Sequence, residues 1–205
     1  MIVMRLIRLA MLVGVLAAGG SAARAAEPLK SPADFAGIAD RGARSQALFT
    51  EAGKVITSPR CLNCHPVGDS PTQGDDLHAH LPHVVRGADG HGAVGLACQT
   101  CHQADNFASS GVPGNPHWGL APRSMAWQHH TLGQICRQIK DKSRNGGRSL
   151  VQLHTHMADD ALVGWAWHPG IDSHGQPRTP APGTQQQFGE LIEAWIQTGA
   201  VCPAS

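Results

Sequence analysis

The chain has 205 residues, and its 16 Lys and Arg against 15 Asp and Glu leave a formal net charge of +1. So even a balance provides no basic face and argues against a nucleic-acid partner. Aromatic residues make up 4%, Tyr is absent, and Gly (24) and Pro (14) are abundant, so the chain has few large side chains to fill an interior. A fold this thin in bulk points to added apolar material or cross-links.

The chain opens on two arginines, Arg5 and Arg8, followed by an apolar run from Leu9 to Ala18 and the small-residue stretch Ala23-Arg24-Ala25. This order is that of a secretory signal peptide over residues 1–25, leaving residues 26–205 as a single domain. A membrane anchor is the alternative, disfavoured because the run is shorter than the ~20 residues a bilayer requires. The expected product is periplasmic, with no membrane span after cleavage. Losing Arg5, Arg8 and Arg24 leaves thirteen basic residues against fifteen acidic, a formal charge of −2.

Four segments read as helix. Leu48, Ala52, Val55 and Ile56 form one apolar stripe leading into Arg60, and that helix can reach back to Ser31-Pro32, although Gly37 and Gly42 weaken its early part. Thr131 with Gln134 makes a capping-box pattern ahead of Leu132, Ile135, Cys136 and Ile139. Ser149 with Gln152 precedes Leu150, Leu153 and Met157. Thr184 with Gln187 precedes Phe188, Leu191, Ile192, Trp195 and Ile196, with Gly199 as a stop. Long turn-rich stretches, residues 66–97 and 103–128, lie between them, and no convincing alternating strand pattern is present. The expected fold class is mostly α, loop-rich and irregular, with about four helices arranged around cofactors.

The chemistry lies in two pentapeptides, Cys61-Leu62-Asn63-Cys64-His65 and Cys98-Gln99-Thr100-Cys101-His102. Each has the attachment pattern of a c-type haem: two thiols for the porphyrin vinyl groups and an adjoining histidine for the iron. The pattern implies two covalently bound haem c groups on Cys61, Cys64, Cys98 and Cys101, with His65 and His102 as proximal ligands. A Cys₄ zinc knuckle leaves both histidines unexplained and the separation between pairs long. A thioredoxin-like pair lacks its βαβ setting. The motifs begin 37 residues apart, too close for two separate monohaem domains, so the haems are expected to share one fold.

Eleven further histidines and several methionines compete for the sixth coordination positions. His78, His80 and His83 cluster after the first motif, with His80 favoured. His117 and Met125 are the contenders for the other iron, followed by Met157 with His154 and His156; Met157 also suits the core stripe of its helix. Two histidines would hold a potential low, whereas a methionine would raise it. Arg60, Arg86 and Arg123 are candidate partners of haem propionates. Cys136 and Cys202 remain, and in an oxidising compartment they are expected to pair.

By these motifs the chain resembles dihaem c-type cytochromes. His80-Leu81-Pro82 to Arg86-Gly87, Ser124-Met125-Ala126-Trp127, Arg144-Asn145-Gly146-Gly147-Arg148 and Pro180-Ala181-Pro182-Gly183-Thr184-Gln185 are similar to the cytochrome subunits of periplasmic molybdenum hydroxylases, the isoquinoline 1-oxidoreductase subunit type. The likeness spans roughly residues 45–203. It implies an electron carrier rather than an enzyme, with redox proteins as partners and a molybdenum hydroxylase as a candidate donor. The competing expectation is a small haem enzyme, peroxidase-like or nitrite-converting, with one open coordination site.

Overall fold

The structure is a computed structural model and describes residues 28–205. The expected signal peptide, residues 1–25, lies outside the described residues. Six α-helical segments follow: α1 Arg41–Ile56, α2 Pro59–Leu62, α3 Leu132–Lys140, α4 Leu150–Asp159, α5 Ala161–Gly164 and α6 Gln185–Gln197. Four are of substantial length, as the periodicity indicates, while α2 and α5 are single turns. Each of the long ones is started by the chain's own chemistry. The capping boxes at Thr131/Gln134, Ser149/Gln152 and Thr184/Gln187 are all formed. Asp40, which no box pattern announces, caps α1 by accepting from Ala43 N–H at 2.6 Å. Ser31-Pro32 begins a separate 3-10 turn, Pro32–Phe35, and not α1.

α6 is the axle of the fold and packs on both α1 and α4. Its stripe Phe188, Leu191, Ile192 and Trp195 is buried against Leu48, Phe49, Ala52, Val55 and Ile56 of α1. Each such side chain contributes about 1.5–3 kcal/mol when fully buried. The rings of Phe49 and Trp195 meet at 4.8 Å. Two glycines allow the close approaches: a Cβ on Gly53 would lie 2.5 Å from Leu132, and one on Gly189 would lie 2.7 Å from Ala158 Cβ. Cys136 on α3 and Cys202 form a disulfide that fastens the C-terminus to the bundle.

The remainder is loop. Two two-residue antiparallel ladders tighten it, β1 Thr72–Gln73 with β2 His78–Ala79, and β3 Gly92–Ala93 with β4 Leu96–Ala97. They are too short for any alternation to show in sequence. Among the described residues no helix is long and apolar enough to cross a membrane.

Candidate functional site

Ser58-Pro59 ends α1 and starts α2, since proline's fixed φ suits a first helical position. The turn continues through the first motif: Cys64 N–H donates to Cys61 carbonyl at 3.2 Å and His65 N–H to the same oxygen at 3.1 Å. The second motif repeats the turn, with Cys101 N–H and His102 N–H on Cys98 carbonyl at 3.2 and 2.9 Å. In both places a helical turn puts the two thiols, three residues apart, on one side.

The two histidines are held alike. His65 Nδ1 lies 2.7 Å from Met125 carbonyl, and His102 Nδ1 lies 2.7 Å from Pro113 carbonyl. A carbonyl can only accept, so Nδ1 carries the proton and Nε2 keeps its lone pair, the arrangement of a ligating histidine. Each ring also lies flat on an indole. His65 stacks on Trp127 at 3.5 Å and 9°, and His102 on Trp118 at 4.5 Å and 10°. Burial is the main reason both imidazoles resist protonation. It takes His65 down to about 4, with positive charge from His156 and Arg86 adding to the effect. His102 is shifted the same way, with His80 and Arg178 as the charged neighbours.

Cys61, Cys64 and His65 line a cleft of about 1200 Å³, its open mouth included. Ile56, Leu120, Leu153, Val163 and Phe188 give it apolar walls, and Trp165 joins its rim. Burial pushes the Cys61 thiol up to about 12 and the Cys64 thiol up to about 11. Two donors on the lining, Arg60 Nε and Trp127 Nε1, are buried without a hydrogen-bond partner among the described residues. An apolar slot beside two thiols and an oriented imidazole, with spare donors for an anion, fits a haem and its propionates.

The sequence candidates divide between the two motifs. His80 stands by the second: its ring centroid is 6.0 Å from that of His102. Its Nδ1, 2.8 Å from Pro82 carbonyl, is likewise the protonated nitrogen. Two imidazoles bound to one metal from opposite sides, at about 2 Å each, would put their centroids roughly 6 Å apart. His78 is instead bonded to Asp76, and His83 is exposed. His117 and Met125 both line the first cleft, His117 exposed and Met125 buried with its carbonyl behind His65. Arg60 is buried and paired with Asp75; Arg86 is buried near Asp69; Arg123 is exposed and paired with that same Asp69. Trp127, Trp118 and Arg178 carry no mark in sequence, because each reaches its histidine from a loop with no period to show it. His91, whose carbonyl accepts from Cys98 N–H at 2.8 Å, also lines the first cleft, so the second motif begins beside it. Among the described residues no three His, Cys, Asp or Glu side chains gather as a metal-ion cluster.

Compared with known proteins, the chain matches no family model, no curated protein and no solved structure.

Proposed function

We propose that this chain is a dihaem c-type cytochrome of the periplasm, carrying single electrons from a dehydrogenase or molybdenum hydroxylase to a downstream cytochrome or oxidase. The observation that carries this is the duplicated arrangement of His65 and His102. Both follow a Cys-x-x-Cys turn, both give Nδ1–H to a backbone carbonyl, and both lie on a tryptophan. The bound haems would supply one-electron chemistry by cycling between ferric and ferrous iron.

The protein's own share of the work is positional. Cys61 and Cys64 would tether one macrocycle in the cleft, and Cys98 and Cys101 the other beside the loops. His65 and His102 would present Nε2 to the irons, with the tautomer fixed by Met125 and Pro113 carbonyls. His80, whose ring centroid is 6.0 Å from that of His102, would supply a second imidazole to that site. The apolar cleft walls keep water from the first site, and Arg60 with Trp127 receive the propionates. A carrier of this kind docks through small, transient contacts.

The test is to secrete the chain from a host that matures c-type cytochromes and weigh it intact. The expected product is coloured and heavier than the processed chain by two porphyrins. A colourless product, or a mass with none added, overturns the reading. Carbon monoxide separates carrier from enzyme: the reduced carrier binds little, whereas rapid stoichiometric binding at one haem would favour the small haem enzyme.

A further inference from the structure

The iron next to His65 requires a second protein ligand on the reading just proposed, on which this inference rests. The first cleft offers His91, His117, Met125, His156 and Met157. Met125 is poorly placed. Its carbonyl takes the Nδ1–H of His65, so its backbone stands behind the imidazole, away from Nε2. His91 and His117 are exposed on loops. His156 is half-buried on α4 and lines the cleft together with Cys61, Cys64 and His65.

The setting of His156 is that of a metal ligand. Asp160 caps α5, its Oδ1 accepting the N–H groups of Leu162 at 2.8 Å and Val163 at 3.3 Å. The carboxylate is therefore fixed by backbone, and its second oxygen lies 3.2 Å from His156 Nδ1. A carboxylate on Nδ1 selects the tautomer with a free lone pair on Nε2 and makes that nitrogen more basic. The same geometry recurs at His65, His102 and His80, and also at the exposed His91 and at His130, with carbonyls in place of the carboxylate. Met157, next along the helix, is 5% exposed and belongs with Leu153 to the hydrophobic core. Consecutive helical positions point about 100° apart, so the two cannot serve one coordination position together.

We infer that His156 is the second axial ligand of the iron held by His65, and that Asp160 is its positioning residue. Both centres would then be bis-histidine. The ligand comes from α4, whose place is fixed by packing on α6, so coordination ties the cleft to the bundle.

The experiment uses the matured, intact protein. Two haems by mass and by pyridine haemochrome verify the underlying reading first; their absence refutes that reading and this inference with it. Given two haems, the wild-type ferric protein shows two low-spin centres and no thioether–iron charge-transfer band. A clear band abolished by Met157→Leu or by Met125→Leu would overturn the inference without any His156 variant having to fold. His156→Ala makes one haem high-spin and open to carbon monoxide when reduced, and added imidazole returns it to low spin. If His156→Ala keeps two low-spin haems, the inference is also overturned. Asp160→Asn leaves both haems low-spin but shifts the potential of one upward, an effect that loss of the α5 cap alone would not produce; an unmoved potential removes Asp160 from its role.

Discussion

The two Cys-x-x-Cys-His segments have the same chemistry on different ground. The first grows out of α1 and α2, and the indole beneath its histidine is 6% exposed. Helices wall its cleft, with Leu153 from α4 and Phe188 from α6. The second sits on a 3-10 turn among loops, its Cys101 exposed and the Trp118 beneath its histidine only half-buried. Local backbone turns suffice to make a motif, whereas solvent exclusion depends on what long-range packing brings to it. Were the proposed haems held here, burial in low dielectric would disfavour a more charged ferric state, and solvent contact would favour it. Two motifs alike in sequence are thus placed in environments that set different properties.

The disulfide offers the largest lever on this contrast, because Cys136–Cys202 fastens the bundle and not the loops. Its 66-residue separation corresponds to about 4 kcal/mol in the chain-entropy estimate. C136A/C202A should lose that much in urea unfolding, while hydrogen exchange around His102 stays near its wild-type pattern. Next come the paired indoles. Trp127→Ala removes a buried ring and should cost about 3–4 kcal/mol, as large core truncations do. Trp118→Ala should cost roughly 1 kcal/mol, since part of its ring is already in water. Equal losses would mean the two sites are equally packed.

A smaller effect is expected where α4 meets α6. Gly189→Val drives a side chain into Ala158, whose Cβ would lie only 2.7 Å from the new Cβ, and overpacking of this kind costs about 1–3 kcal/mol. It should disturb absorbance from the first site and leave the second unchanged. Acid gives the subtlest comparison. Burial keeps His65 neutral down to about 4 in the fold, against an ordinary value near 6.5. The unfolded chain therefore takes up a proton that the fold refuses, so His65 destabilises the fold progressively as pH falls from about 6.5 to 4. His102 is shifted down by burial as well, so it acts in the same direction, and stability followed by urea unfolding at pH 7 and pH 5 should be lower at pH 5.

Much of this is legible in the residues. The capping pairs of α3, α4 and α6 announce their helices because the same side chains that form the pattern make the hydrogen bonds. The pairing of Cys136 with Cys202 follows from their being left over outside the motifs. The start of α1 is not legible, since Gly37 and Gly42 blur the period and Asp40 caps without a box partner. The stacking of His65 on Trp127 has no local signal, as the two stand far apart along the chain. Met157 belongs to the core stripe as its spacing indicates, yet it also lines the cleft. One residue can serve both, and periodicity registers only the first.

Shielding has a temporal consequence at Cys61 and Cys64. Thiols pushed up to about 12 and 11 hold almost no thiolate at neutral pH, and the thiolate is the reactive form. In the finished fold they are therefore poor nucleophiles, although neither side chain is fully covered. Chemistry that needs a thiolate there is favoured before burial is complete, when each thiol has its ordinary value. Burial raises the Cys98 thiol too, so the second pair shares this constraint although Cys101 stands at the surface.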